Sequence, residues 1–260
     1  MNYPIKLEEC SWKQVEAALQ DGFDTVIIPS GSVEQHGPHL PIITDAAIGE
    51  VLAERIASGL GHAFAAPVIR PGLSAHHMFF PGSFTLSPET FICVLEDYCL
   101  SLAHHGFKNL VLISSHGGNF STIQQSAGRI QETLKEKGLP AVVIPYVDME
   151  EYVTWQQDIL IQEYGGRKEE ASGHADVVET AMMLVIRPDL VNMAKAESGW
   201  MGDLFTVEDQ LFRDGLHSLT SNGVLGDPRR ATAEMGKRLL DVLVLKMTDA
   251  IRSRIQSLKS

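Results

Sequence analysis

Three short segments place carboxylates and histidines where they could bind a metal ion. The first, residues 31–45, reads GSVEQHGPHLPIITD and follows a β-branched run. Glu34 and His36 are two residues apart, so in an extended chain their side chains point the same way. A carboxylate beside an imidazole suits a borderline metal such as zinc or manganese. The alternative is that Asp45 only caps the next helix and that His36 is a loop histidine.

The second segment, SSHGGN at residues 114–119, lies between a predicted strand and a predicted helix. His116 would project from the carboxyl end of that strand. Gly117 and Gly118 would let the backbone approach a ligand closely, and we expect both of them and Asn119 to contact the substrate. The alternatives are a tight turn with an incidental histidine, or a phosphate cradle that lacks the usual following lysine.

The third segment, GHADVVET at residues 173–180, spans the start of a predicted helix. His174 and Glu179 are five residues apart, so they share one face only if His174 precedes the helix. The alternative is a surface helix start in which Asp176, in the first turn, complements the helix dipole.

Two histidine pairs lie outside these segments. His76 and His77 precede FFPGSFTL, where they could line a pocket or lie in a solvated loop, and we expect His77 to contact the substrate. His104 and His105 close a predicted helix, where histidine favours the dipole, and we assign them no function.

The three segments lie at the ends of strands and helices that alternate along the chain. The predicted strands cover residues 24–29, 63–69, 109–114 and 141–146, and the predicted helices cover residues 46–60, 88–105, 120–137, 176–186 and 231–255. This alternation predicts an α/β fold with a mostly parallel sheet and helices on both faces. Ligand sites in such folds form beyond the carboxyl ends of the strands, which is where the polar segments lie.

Two regions have no clear assignment. Residues 151–173 are polar, and residues 199–230 are rich in Gly, Asp and Ser and are predicted to form a long loop. Long loops in compact domains are often functional. The chain has no repeat, linker or low-complexity tract, so we predict a single domain over residues 1–260.

The bulk composition limits the possible partners and compartment. A net charge of −12 repels phosphate backbones and anionic membranes, so we expect neither nucleic acid nor membrane as a partner. A small anionic substrate remains possible, because a bound metal inverts the local field. The three cysteines, Cys10, Cys93 and Cys99, lack the spacing of metal ligands. Cys93 and Cys99 lie in a predicted amphipathic helix, and we expect their side chains to pack in the core. We expect a reducing compartment, and the N-terminus lacks a secretion signal, so we predict a cytoplasmic protein.

Taken together, these segments resemble the creatininase (creatinine amidohydrolase) family over nearly the whole chain. The resemblance is carried by five segments in the same order: PSGSVEQHGPHLPIITD, FPGSFTL, ISSHGGN, HADVVETAMMLVIRPDLV and SNGVLGDPRRATAEMGKR. It implies an α/β fold of three layers and a centre of two divalent metal ions, zinc and/or manganese, with iron possible. It also implies a small-molecule substrate and a homo-oligomer, which in creatininase itself is a hexamer.

The resemblance further implies roles for single residues. The implied ligands are Glu34 and His116 for one metal, His36 for the other, and Asp45 bridging both. Creatininase has a further glutamate ligand where this chain has Gly118, and Glu179 is our candidate to replace it. His174 matches the histidine that carries a proton near the substrate, which makes it the predicted catalytic residue.

The implied reaction is hydrolysis of a carbon–nitrogen bond in a cyclic or linear amide by a metal-bound water. The chain departs from common family patterns at Ser115 and at Asp176. The two tryptophans that creatininase places against its flat substrate correspond to Val147 and Glu170, which argues against creatinine. A deformylase, a peptide-trimming enzyme and a carbohydrate-ring hydrolase of the same family are therefore alternatives.

Two alternative functions from other classes of protein also remain. One is a serine hydrolase that uses Ser114 or Ser115 with a histidine, although the chain has no G-x-S-x-G turn there. The other is a non-catalytic relative that binds a small molecule.

Overall fold

One parallel sheet of four strands forms the centre of the molecule, whose residues 3–258 are described by a computed structural model. The strands are β1 (Thr25–Ser30), β2 (Ala63–Ala65), β3 (Asn109–Ser114) and β4 (Val142–Tyr146), in the order β2-β1-β3-β4. Val26 of β1 lies beside Phe64 on one side and beside Leu110 on the other. The prediction of a parallel sheet is confirmed.

Eight α-helices lie among residues 3–258. They are α1 (Trp12–Gln20), α2 (Thr44–Leu60), α3 (Pro88–His104), α4 (Gly117–Glu136), α5 (Met149–Tyr164), α6 (Val177–Ile186), α7 (Glu208–Asp214) and α8 (Ala233–Ser257). None of these helices has the length and apolar composition needed to cross a membrane.

The side chains of the strands alternate between two cores, which produces the three layers. Ile27 and Val111 face the helices α2, α5, α6 and α8. Val26, Ile28 and Leu110 face the helices α1, α3 and α4. Successive residues of a strand point to opposite faces, so a strand that is apolar at every position must be covered on both sides. The expected three-layer α/β architecture is confirmed.

Three element boundaries differ from the predictions for identifiable reasons. The strand predicted over residues 63–69 ends at Ala65, because Pro67 has no amide hydrogen to donate to a neighbouring strand. The helix predicted from residue 120 begins at Gly117, so His116 is its N-cap residue. The helix predicted from residue 46 begins at Thr44, which places Asp45 inside its first turn and not at its cap.

The two unassigned regions contain helices. Residues 151–173 include most of α5, which begins after Asp148, whose side chain accepts a hydrogen bond from the amide of Glu151, and ends at Gly165 with φ +61°. The predicted loop over residues 199–230 contains α7 and three turns of 3-10 helix, Leu204–Thr206, Leu216–Ser218 and Pro228–Arg230.

The prediction of core packing is confirmed for Cys99 and is wrong for Cys93. Cys99 of α3 is buried in the second core and burial raises its pKa to about 12, but Cys93 on the same helix is exposed. The two residues are six positions apart, so their directions on a helix differ by about 120°, which is wider than a stripe of about 100°.

Candidate metal centre

The ends of several elements meet at the carboxyl edge of the sheet. Glu34 and His36 lie in the segment between β1 and α2, and Asp45 lies in the first turn of α2. His116 follows β3, and Glu179 lies in the first turn of α6. All of them are buried except Glu179, whose side chain is 15% exposed. The structure therefore brings together all five predicted ligands.

Asp45 lies between two groups of possible ligands. Its Oδ1 is 3.1 Å from Nε2 of His36, and that nitrogen is 3.6 Å from Oε2 of Glu179. Its Oδ2 is 3.2 Å from Nδ1 of His116, which is 3.3 Å from Oε1 of Glu34. In each group, the ligand atoms lie within 4.8 Å of one another. One carboxylate thus faces two sets of donors, the arrangement that a bridging ligand needs.

Two carboxylate oxygens in this cluster have no hydrogen bond. Oε1 of Glu34 and Oδ2 of Asp45 are fully buried and unpaired, although histidine nitrogens lie 3.2–3.3 Å away. Leaving buried carboxylate oxygens without partners is costly, and a cation among these atoms would remove that cost. The set of imidazole and carboxylate donors fits zinc or manganese.

Backbone carbonyl groups fix which nitrogen of each site histidine is available. A carbonyl oxygen can only accept, so the ring nitrogen that contacts it must donate, and in a neutral ring the other nitrogen is left to accept. The three contacts join Nδ1 of His36 to the carbonyl of Glu34 at 3.1 Å, Nε2 of His116 to Leu73 at 3.1 Å, and Nε2 of His174 to Gln35 at 2.8 Å. The other nitrogen of each ring faces the carboxylates, so it could bind a metal ion that lies among them.

Burial and neighbouring charges shift the pKa values of the cluster in opposite directions. Burial acts to lower the pKa of His36, but Asp45 and Glu179 outweigh it and raise that pKa to about 10. Burial raises the pKa of Glu179 to about 8, although His36 opposes this change. Burial also disfavours charge on Asp45, yet His36 and His116 hold its pKa below its usual range. Protons on imidazoles thus balance the carboxylates when no cation is bound.

His174 lies just before α6, the only position from which it can share a face with Glu179. Burial, together with the charge of His36, holds the pKa of His174 well below its usual value, so the ring is neutral near pH 7. Its Nδ1 is 3.7 Å from Oε1 of Glu34, and its ring centroid is 4.3 Å from that of His36. The ring can accept a proton at Nδ1 beside the predicted metal ligands.

Gly118 has no room for a side chain. A Cβ atom there would lie 2.5 Å from Nε2 of His116 and 2.5 Å from the carbonyl oxygen of Leu73. A glutamate at this position, as in creatininase, would not fit this arrangement. Glu179, from a different element, is the acid that reaches His36 instead.

Two of the predicted substrate contacts, His77 and Asn119, also hold neighbouring parts of the site. His77 uses Nε2 to contact Oε1 of Glu34 at 3.2 Å, and its Nδ1 contacts Nε2 of Gln35 at 3.1 Å. The side chain of Asn119 accepts from the amide of Leu73 and donates to the carbonyl of Gly31, each at 3.0 Å. Both side chains thus have partners within the protein, and His77 also lines the first cavity described below, so direct contact with a substrate stays a prediction for both residues.

Asp176 is a buried helix cap. Its Oδ1 accepts from the amides of Val178 and Glu179, and its Oδ2 accepts from the amide of Gly173. Burial raises its pKa to about 6. The interpretation of residue 176 as a helix-start residue is right, but the helix start is not on the surface, and it positions both His174 and Glu179.

Two cavities open onto the cluster. The first contains about 370 Å³ of empty space and reaches Glu34, His116 and His174. The second contains about 460 Å³ and reaches Asp176 and Glu179. Four residues line both: Gly117, Met149, Gly173 and Leu204. Gly118 lines the first cavity, so both predicted glycine contacts lie beside space that a substrate could occupy.

For His76, the sequence left open whether it lines a pocket or lies in a solvated loop, and the structure has it lining a cavity. It is buried in the wall of the first cavity, with its ring stacked on that of His116 at a centroid distance of 5.8 Å and an interplanar angle of 12°. Burial lowers the pKa of His76 to about 3, so it packs as a neutral ring. The HH pair was the only sequence signal for this contact.

Comparisons with known proteins agree with this site. The profile of the Creatininase family, described as creatinine amidohydrolase, matches residues 8–251. A mycofactocin precursor peptide peptidase from Mycobacterium tuberculosis is 29% identical over 230 residues, which cover 85% of this chain and 81% of that protein. A creatinine amidohydrolase from Pseudomonas putida is 27% identical over 265 residues, covering 97% and 98%. A solved structure described as creatininase Mn superposes with a TM-score of 0.83 at 26% identity, covering 97% of this chain and 99% of that one.

Proposed function

Because the chain belongs to the creatininase family, we propose that it is a hydrolase that uses two divalent metal ions to cleave a carbon–nitrogen bond of a small cyclic or linear amide. The observation that carries this proposal is the pair of ligand groups, Glu34 with His116 and His36 with Glu179, on either side of Asp45. Zinc and manganese suit these donors. The related solved structure described as creatininase Mn supports manganese.

Bound divalent ions would lower the pKa of a water and polarise the amide carbonyl. The protein's own contribution to proton transfer is His174. Its Nε2 is held by the carbonyl of Gln35, which leaves Nδ1 to take a proton and pass it to the leaving nitrogen. The backbone at Gly117 and Gly118 leaves open space in front of the ligands.

Creatinine is not the substrate that this site favours. Val147, at one of the two positions where creatininase has tryptophan, packs against the second core. Glu170, at the other, is buried and pairs with Arg167 and Arg230. These residues do not supply the aromatic faces that would hold a flat ring. We therefore propose another amide, such as that of a deformylase or of the peptidase relative, or a substrate of a carbohydrate-ring hydrolase.

The serine hydrolase alternative lacks the required geometry. The hydroxyl of Ser115 donates to the carbonyl of Asp45 at 2.6 Å. That of Ser114 lies 3.0 Å from the carbonyls of both Ser30 and His116 and has one proton to donate between them. A nucleophilic serine donates to a histidine nitrogen that acts as its base. Both hydroxyls are instead occupied by backbone acceptors.

We propose in addition that residues 1–260 form one domain that acts as a homo-oligomer in the cytoplasm. The single sheet shared by both cores supports one domain. The free thiols of the three cysteines fit a reducing compartment.

Metal content per chain tests the proposed function most directly. We expect about two ions per chain in the wild type and about one in Glu179→Gln, measured by elemental analysis after gel filtration. Glu169→Gln, at an exposed acid in the same part of the chain, is the matched control and should keep about two ions. A wild-type protein that holds no metal and takes up none would overturn the hydrolase and favour a small-molecule-binding relative.

A further inference from the structure

The first cavity has an apolar wall opposite the metal ligands. The wall consists of Met149, Leu204, Leu211, Phe212, Leu216 and Leu225. Its four leucines are 0–6% exposed and form a small core of their own, separate from the two cores beside the sheet. All of the wall except Met149 comes from the segment at residues 199–230. This segment therefore builds one side of a cavity that begins at Glu34 and His116.

No lysine or arginine side chain lines either cavity among residues 3–258. The charged acids that line them are Glu34, Asp176 and Glu179. The cations of the neighbouring segments pair with acids elsewhere, Lys168 with Asp203 and Arg213 with Asp214. A carboxylate on the substrate would thus have no protein partner in the apolar cavity, and burying an unpaired charge there is strongly unfavourable.

The second cavity differs in its chemistry. Besides Asp176 and Glu179 it presents the polar side chains of Ser115, Tyr152 and Gln156. Apolar side chains line this cavity too: Phe120, Met149, Val153 and Leu204. The continuous wall of leucine and phenylalanine from residues 199–230 belongs to the first cavity.

We propose that the apolar cavity binds an uncharged hydrophobic substituent next to the scissile amide, so that the substrate is an amide with an aliphatic or aromatic group and no carboxylate at that end. The inference rests on the proposed function, because the metal centre must hold the amide for its substituent to reach the wall. The substituent would lie in the space in front of the wall, which amounts to about 370 Å³ including its opening to solvent.

Hydroxamates provide a test that does not require turnover, because they bind divalent metal ions directly. Acetohydroxamate tests binding to the metal centre alone. Hexanohydroxamate adds an alkyl chain that could reach the apolar wall. Adipic monohydroxamate has a chain of the same length that ends in a carboxylate. Calorimetric titration of the metal-loaded protein should show affinity rising about fourfold per methylene from the first to the second, the gain expected for burying a CH₂ group. The carboxylated compound should bind more weakly than hexanohydroxamate.

A substitution in the wall should change this preference. Phe212 is 46% exposed, so Phe212→Arg should fold, and its guanidinium would offer a carboxylate partner at the cavity. We expect the variant to bind adipic monohydroxamate more tightly than hexanohydroxamate and to bind acetohydroxamate as the wild type does. Phe205→Arg is the matched control, because Phe205 is 41% exposed on the same segment and does not line the cavity.

The outcomes separate the two proposals. If acetohydroxamate does not bind the metal-loaded protein, the metal centre of the proposed function fails, and this inference fails with it. If acetohydroxamate binds and chain length has no effect, the apolar subsite is overturned while the metal centre stands. An unchanged preference in Phe212→Arg, with the fold intact by circular dichroism, would also overturn it.

Discussion

The histidines of the site differ in function because the backbone orients each ring differently. His36 and His116 turn a free nitrogen toward carboxylates within 3.1–3.3 Å, whereas the free nitrogen of His174 is 3.7 Å from Glu34. His77 has both nitrogens engaged and orients Glu34. Residue type alone would make these four histidines equivalent. Their roles differ because a different group contacts the second nitrogen of each ring.

The position of His174 predicts a variant that separates proton transfer from metal binding. His174→Ala should lower the turnover number by about 10²–10⁴-fold, the usual contribution of an acid–base group, because it removes the Nδ1 that faces Glu34. Metal content should stay at the wild-type value, since the ligands Asp45 and Glu179 do not depend on His174 for orientation. The turnover number is measured on any amide that the wild type hydrolyses, and the metal content by elemental analysis of the same preparation. Wild-type turnover in this variant would remove His174 from the mechanism.

The raised pKa of His36 predicts that metal binding releases protons. Burial disfavours its charged form, but Asp45 and Glu179 raise the pKa to about 10, so the ring is protonated in the metal-free protein near pH 7. A ligand nitrogen must lose its proton, so metal affinity should rise with pH up to that value and fall as the solution becomes more acidic. Titrations in buffers of different ionisation enthalpy at about pH 6 and about pH 8 measure the release. An affinity that does not change between these two conditions would contradict the prediction.

The local motifs identified the ligands because each lies directly after a strand or at the start of a helix. They did not reveal the partners of Asn119 at Gly31 and Leu73, which come from segments far away in the sequence. They also could not show that Gly118 is packed against Leu73, or that Glu179 reaches His36. These contacts join α4 to loop segments around Gly31 and Leu73, and α6 to the segment before α2, and no short segment encodes such pairings.

Among the elements, the sheet and the helices α2, α3, α4, α6 and α8 were predicted from sequence, and α1, α5 and α7 were not. The strands of a parallel sheet are covered on both faces and are therefore nearly continuous apolar runs. In α5 the buried positions include Gln156 beside Val153 and Leu160, which interrupts the apolar stripe. Its cap at Asp148 and its end at Gly165 were the available signals. α7 has seven residues, too few for a helical period to show.

The close packing of α8 on α6 predicts the effect of a single methyl group. A Cβ atom at Gly236 of α8 would lie 1.8 Å from the carbonyl oxygen of Ala181 in α6. Backbone atoms cannot move aside as a flexible side chain can, so Gly236→Ala should lower the free energy of unfolding by about 1–3 kcal/mol. Because α6 carries Glu179, the variant should also lose metal affinity.

Gly128 of α4 is the matched control for this experiment. A Cβ atom there meets nothing within 4 Å, so Gly128→Ala should raise the free energy of unfolding by about 0.5–1 kcal/mol through helix propensity alone. Urea denaturation of the two variants and the wild type measures the contrast. Equal stability of the two variants would show that α8 does not pack on α6 as closely as described.

At the scale of the whole molecule, the metal centre joins parts of the chain that lie far apart in sequence. Its ligands come from the segment after β1, from α2, from the end of β3 and from α6. The protein also has a net charge of −12, and the cluster adds buried carboxylates at one place. Bound cations should therefore both neutralise the cluster and hold the two helical layers to the sheet.

This arrangement predicts that removing metal weakens the entire fold. A ligand that binds only the folded state stabilises it by about 2.7 kcal/mol at a free concentration 100 times its dissociation constant. For a domain of this size, such a change corresponds to a shift in Tm of roughly 5–10 °C. We expect thermal unfolding after exhaustive chelation to show a loss of that order, and readdition of manganese or zinc to restore it. In Asp45→Asn, which weakens the shared ligand, the difference between metal-loaded and chelated protein should disappear. If Asp45→Asn keeps the full metal-dependent gain, the bound ions lie elsewhere and Asp45 does not bridge them.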